Sequence, residues 1–251
     1  MPNIKVAVIN SSTVVTDGDV EAVVDPLQQQ VHRDLAPVWG VDADLVFVKK
    51  GDQPPAGYWW LVVLDDTDQA GDLGYHDLTD EGLPQGKVFA GTDLQYGNKW
   101  TVTASHELLE MLVDPAINLT TMVQSSFDPS QNVVGRLYSY EVCDPCESDA
   151  DAYDINGVLV SDFVYPAWFE VFPSLSTKFD YQNRIRQQFT LLPGGYMQVY
   201  DMTSGTGWQQ MSLPNQKPSY SARAPVGSRR ERRRIPTAHW MKSSPRKAAK
   251  P

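Results

Sequence analysis

The chain opens on a run of β-branched and apolar residues, Ile4–Asn10, closed by a polar turn around Asp17-Gly18-Asp19. Val20, Val23, Val24, Leu27, Val31 and Leu35 then recur at steps of three and four, the spacing of one helical face, with Pro26 marking an early turn or a kink. A strand followed by a helix is predicted. Asp44–Lys49 and Tyr58–Leu64 are the next strands, separated by the turn GDQPPAG. Residues 65–86 are polar and glycine-rich, a loop long enough to line a site, and Lys87–Gly91 reads as another short strand. Thr101–Asp114 holds neither Gly nor Pro, offers Thr101 and Thr103 as N-caps and stops at Pro115. Its apolar positions, among them Ala104, Leu108, Leu109, Met111 and Leu112, cover most of the circumference, so this helix belongs inside the protein. Further on, Arg136–Cys143 alternates as a strand ended by Asp144-Pro145. Asn156-Gly157 marks a tight hairpin within Tyr153–Val160, and Gly194-Gly195 marks a second.

The interior helix carries His106-Glu107-Leu108-Leu109-Glu110. Residues four apart share a helical face, so His106 and Glu110 converge while Glu107 sits one step round. Burying two carboxylates and an imidazole in an apolar helix is unfavourable unless their charge is compensated, and a divalent cation would do so. The pattern resembles the H-E-x-x-H helix of zincin metallopeptidases, with Glu110 standing where the second histidine would be. In layout the resemblance covers roughly residues 1–170; in detail it covers this motif alone. It implies an α+β, zincin-like fold: a mixed sheet with a metal-binding active-site helix and a smaller β-rich C-terminal part. It also implies a zinc metallopeptidase acting on a peptide or protein substrate. His106 and Glu110 would be ligands and Glu107 the general base on metal-bound water. In one zincin branch a glutamate third ligand arrives from downstream, followed closely by an aspartate. Glu141, 31 residues after Glu110, and Asp144 stand in comparable places, and either completes the site. The other branch puts a third ligand where this chain has Ala116, and is not supported. Two carboxylate ligands cancel a divalent charge, so manganese or calcium competes with zinc better than at a two-histidine site. His76, in GYHDLT, is a candidate to polarise a substrate carbonyl or to supply a ligand, set against a plain exposed loop histidine.

Each signal has a structural counterpart. The helix motif also fits a salt-bridged structural helix. Glu141, Asp144 and Glu147 also fit a solvated acidic loop, or a calcium site running on to Asp154, although the glycine and terminal glutamate of an EF-hand loop are missing. Cys143 and Cys146 are too few for a disulfide framework and read as turn cysteines, one local bridge or half a metal site. The alternative function is therefore a non-enzymatic structural or binding protein, such as a phage- or particle-associated component, with a structural metal site.

Charge divides the chain. Its net charge is −10, yet residues 215–251 hold 11 basic residues against one acidic, Glu231, so this segment is +10 and residues 1–214 are −20. The expected organisation is an acidic globular domain over 1–214, with an α/β part (1–115) and a β-rich part (116–214), then a disordered basic tail over 215–251. The tail offers weak contact to polyanions, while a body at −20 repels DNA. The longest apolar run, Tyr58–Leu64, is far below the roughly 20 residues of a membrane-spanning helix, and the N-terminus reads as a strand rather than a secretory signal. A cytoplasmic protein is the default expectation; release or non-classical export would leave no trace in the sequence.

Overall fold

The computed structural model describes residues 4–68, 73–124, 135–213 and 217–222. It is a mixed α/β structure with a mixed sheet and few helices. β1 (Ile4–Asn10) leads into α1 (Asp17–Gln29), whose N-terminus is closed by a capping box: Thr16 accepts the Asp19 amide, and the Asp19 carboxylate accepts that of Thr16. The helix expected to run on to Leu35 instead widens into a π-turn over Gln30–Leu35 before α2 (Ala36–Trp39) ends at Gly40, which has a left-handed φ of 68°.

β2 (Ala43–Val48), β3 (Trp59–Leu64), β4 (Gly74–Leu78) and β5 (Pro84–Phe89) complete the first sheet. Its order is β2-β1-β3-β5-β4, with every neighbouring pair parallel except β4, which runs antiparallel to β5 at the edge. The polar stretch expected to be one loop therefore contains an edge strand. Gly, Asp and Thr mask it, because a sheet edge tolerates polar residues that a central strand does not. β5 also begins earlier than the expected Lys87, and Ala90 starts a helix, α3 (Ala90–Tyr96).

α4 (Trp100–Val113) is buried along nearly its whole length, as its apolar circumference requires. Thr101 lies inside the helix rather than capping it, and its hydroxyl donates to the Leu159 carbonyl. At the other end the Asp114 carboxylate accepts the amides of Asn118 and Leu119, turning the chain away at Pro115. A second, antiparallel sheet follows, built from β6 (Thr120–Gln124), β7 (Gly135–Ser139), a hairpin arm pair described below, and a final edge strand. The expected strand Arg136–Cys143 stops at Ser139, since the next residues turn inward toward α4. β8 (Tyr153–Ile155) and β9 (Val158–Val160) form the tight hairpin expected at Asn156-Gly157. β10 (Tyr196–Asp201) and β11 (Trp208–Ser212) pair through a turn beyond Asp201, so Gly194-Gly195 precedes this hairpin rather than forming its turn. β12 (Ser219–Ala222) pairs with β11, which moves the end of the ordered body past residue 214. The rest of the basic tail, from residue 223, lies outside the described residues.

One apolar cluster joins the two sequence halves: Val6, Val8 and Leu61 of the first sheet, Leu27 of α1, Leu108 of α4, and Phe163, Trp168 and Met197 from the C-terminal part. The 1–115 and 116–214 parts thus share a core. Among the described residues, no helix is long and apolar enough to cross a membrane.

Candidate metal centre

α4 packs on the β3, β4 and β5 side of the first sheet, and glycines bring it close. A Cβ at Gly74 would lie 2.8 Å from Glu107 Cγ, and one at Gly86 would lie 3.3 Å from Glu107 Cβ. Glu107 is thereby wedged against two neighbouring strands that lack side chains at the contact. The helix is fixed along its length by Gln30 of the π-turn. Ser105 Oγ donates to Gln30 Oε1 (2.7 Å), Gln30 Nε2 donates to the Ser161 carbonyl (2.9 Å), and the Ser161 amide donates to Ser105 Oγ (2.9 Å). The wide turn projects Gln30 into the core next to the residue that precedes His106.

Six residues singled out from the sequence converge here: His76, His106, Glu107, Glu110, Glu141 and Asp144, all buried. His106 Nε2 lies 3.3 Å from Glu110 Oε2 and 3.3 Å from Asp144 Oδ1. The other Glu110 oxygen, Oε1, accepts the amides of Cys143 (3.1 Å) and Asp144 (3.3 Å), so the acidic turn is docked onto the helix by the same carboxylate. Asp144 rather than Glu141 therefore reaches His106. Glu141 Oε2 instead faces His76 Nε2 at 3.8 Å, while His76 Nδ1 lies 3.7 Å from both Glu107 Oε2 and Glu110 Oε2. His76 is not an exposed loop residue. It projects from β4 and is completely buried. Two three-residue groups have the spacing to hold an ion, His106-Glu110-Asp144 and His76-Glu107-Glu110, with Glu110 common to both.

The electrostatics are those of a negative interior. Burial favours a neutral His106 ring, but the adjacent Glu110 and Asp144 carboxylates overcome it and hold the imidazolium well above its ordinary range. For Glu110, burial is opposed and outweighed by the charge and hydrogen bonding of His106, which bring its carboxyl down to about 2. Burial, and then the charge of Glu110, push Asp144 up to about 6. With all four carboxylates ionised and both imidazoles protonated, the cluster still lacks two positive charges.

His106 and Glu107 open onto a cleft of about 760 Å³, lined also by Asn98, Thr103, Glu147, Asp149 and Tyr196. Tyr196 hydrogen-bonds Asp144 and was not singled out from the sequence. The preceding Gly195 lies so close to the Pro145 carbonyl that any side chain there would collide with it, a constraint that the glycine pair itself advertises. The remaining acidic residues do not gather into a calcium loop. Asp149 accepts the Lys99 amide at the start of α4, Asp151 pairs with Arg184, and Asp154 accepts the Gly157 amide of the hairpin turn. Cys143 and Cys146 are free, buried thiols, and burial keeps both well above the ordinary thiol range, so neither offers a ready thiolate. No protein-family model matches the chain, and no curated protein or solved structure shows detectable similarity to it.

Proposed function

We propose that this protein is a metal-dependent hydrolase of zincin-like type that cleaves peptide bonds, with the ion held by His106, Glu110 and Asp144. The observation that carries the reading is the spacing of those three side chains. A hydrogen-bonded ion pair closes to about 2.7–2.9 Å. Tetrahedral ligands at about 2.0–2.2 Å from zinc instead stand about 3.3–3.6 Å from each other. His106 Nε2 keeps 3.3 Å from two carboxylates at once, a separation that co-ligands of one ion also have. The unbalanced negative charge of the cluster supports the same conclusion, because a divalent cation would offset it without protonating a carboxylate.

A divalent ion bound there would supply Lewis acidity, polarising a carbonyl and making a water more acidic. Glu107 adjoins these residues and opens onto the cleft, where it takes the proton of the attacking water and delivers it to the departing nitrogen. His76, 3.7 Å from both Glu107 and Glu110, is assigned a positioning role beside them; the sequence offered it as a carbonyl-polarising group or a ligand, and it also belongs to the second group with the spacing to hold an ion. The cleft beside His106 and Glu107 favours the enzyme over a purely structural metal site, which would have no need of one. Zinc is the first candidate and manganese the second.

The test is metal analysis of the purified, reconstituted protein followed by Glu107→Gln. One ion per chain, retained in the variant while peptide cleavage is lost, is the expected result. Absence of bound metal in the unmutated protein would sink the proposal.

A further inference from the structure

Glu141 lies in the buried cluster without a part in the proposed chemistry, and the residue it faces, His76, is the second histidine there. β4 brings His76 in. Two residues from Gly74, it stands on the same side of the strand, toward α4, and it pairs in register with Gly86, whose missing side chain admits Glu107. His76 Nδ1 stands 3.7 Å from Glu107 Oε2 and 3.7 Å from Glu110 Oε2, while the opposite ring nitrogen, Nε2, stands 3.8 Å from Glu141 Oε2. All four residues are more than nine-tenths buried, and His76, Glu107 and Glu110 have the spacing to share an ion.

Two features besides that spacing point to a cation. An imidazole with one nitrogen toward two carboxylates and the other toward a third has the layout of a metal-ligating histidine, whose far nitrogen is held by an outer carboxylate. Ligands about 2.1–2.3 Å from one ion, at angles between tetrahedral and trigonal, stand about 3.7 Å apart. The other feature is charge. Glu107, Glu110, Glu141 and Asp144 carry four negative charges when ionised, and His76 and His106 are neutral when they bind metal. One divalent ion at His106, Glu110 and Asp144 leaves two of those charges buried without compensation, and a second ion neutralises the cluster.

We infer that His76, Glu107 and Glu110, backed by Glu141, form a second and weaker site for a divalent transition ion, whose occupation stops the proposed hydrolase by taking Glu107 as a ligand. The effect on activity rests on the hydrolase reading; the binding does not. Glu110 Oε2 lies 3.3 Å from His106 Nε2 and 3.7 Å from His76 Nδ1, so one oxygen serves both sites. That sharing, with the repulsion between two cations, makes the second ion the weaker one, and at one equivalent of metal only the first site fills. Glu107 opens onto the cleft and gives the ion its way in. Once it is a ligand, it no longer accepts a proton from water.

The test titrates the metal-free full chain with Mn2+ and counts bound ions from the free-ion signal in electron paramagnetic resonance. Two ions per chain are expected, the second bound more weakly, with magnetic coupling between them through the shared carboxylate. Glu141→Gln should weaken the second ion by about 10–100-fold and leave the first unchanged. His76→Gln should bind a single, uncoupled ion. Cleavage followed over the same titration should peak at one ion per chain and fall at least about 100-fold as the second binds, the loss expected when a general base is tied up. A single ion at saturating Mn2+, two ions without coupling, or a second ion unaffected by both substitutions would overturn the second site and leave the hydrolase standing. Two coupled ions with no cleavage at any metal ratio would keep the second site and refute the hydrolase. The stoichiometry and coupling of the unmutated protein decide the matter even where a variant fails to fold.

Discussion

Replacing Gly74 with alanine tests the idea that the site is built by close approach of α4 to the sheet. The added Cβ would sit 2.8 Å from Glu107 Cγ, 2.8 Å from Glu107 Oε1 and 2.8 Å from the Lys87 carbonyl oxygen. The last contact is with backbone, so no change of rotamer relieves it; β4 must move away from β5, and Glu107 is pushed aside as well. Overpacking of this kind costs about 1–3 kcal/mol. For a domain of this size each kcal/mol lowers Tm by about 2–4 °C, so a drop of about 2–12 °C is expected in the metal-loaded protein by circular dichroism. The nearest atoms the added Cβ would meet belong to Glu107 and the Lys87 carbonyl, not to the three proposed ligands, so the ion content should stay near one per chain. Cleavage should fall far more than stability, by about 100-fold, because displacing a catalytic group by an ångström costs that much. Gly18→Ala is the control, since its Cβ would meet nothing closer than Thr16 Oγ1 at 3.7 Å, an ordinary contact. If Gly74→Ala left both Tm and cleavage unchanged, Glu107 would not be held by the glycine contact, and the account of how the site is positioned would be wrong.

Ser105→Ala should destabilise the fold by about 2–4 kcal/mol in urea denaturation, because it strands the buried Gln30 Oε1 and the Ser161 amide together; a loss below 1 kcal/mol would show that neither depends on the serine. Asp162 faces Asp180, and burial together with that neighbour's charge raises its carboxyl to about 8 in the folded protein, well above its unfolded value. The folded state therefore holds the extra proton. This contribution is fully present below about pH 4 and is lost as pH rises through about 8. Asp162→Asn imitates the protonated form, so the stability of the unmutated protein relative to the variant should decline from about pH 5 to about pH 8.5, and a constant difference would contradict the assignment. Deleting residues 223–251 should leave metal content and cleavage unchanged, whereas ending the chain at residue 214 also removes β12 from β11 and should lower Tm.

Much of the candidate site was legible because its signal is local. A helix that is apolar around its circumference yet carries His106, Glu107 and Glu110 contradicts itself unless the charges have work to do, and that contradiction is visible in five residues. Glu141 and Asp144 were legible as acids at a plausible distance along the chain, but not as distinct roles. Only the turn at Cys143–Cys146, docked by Glu110 onto its own backbone amides, sends Asp144 to His106 and leaves Glu141 with His76. His76 was legible as a candidate by residue type, but its burial was not, for a related reason. Its strand lies at a sheet edge, where composition follows a half-exposed environment and the alternation of a strand is lost among glycines and aspartates.

The sequence by itself determined the strands β1, β2 and β3, the buried helix with its reactive residues, the tight hairpin at Asn156-Gly157 and the separation of an acidic body from a basic tail. These depend on periodicity, turn chemistry and charge counts, which act over a few residues and need no partner. Tertiary structure decided the antiparallel edge strand β4 and the convergence of β4 and the acidic turn on α4. Each of these brings together residues separated by tens of positions, and their pairing is set by which surfaces can be buried against each other. The glycines at 74, 86 and 195 illustrate the difference. In the chain they look like loop residues; in the fold they are the places where backbone must come too close for a side chain.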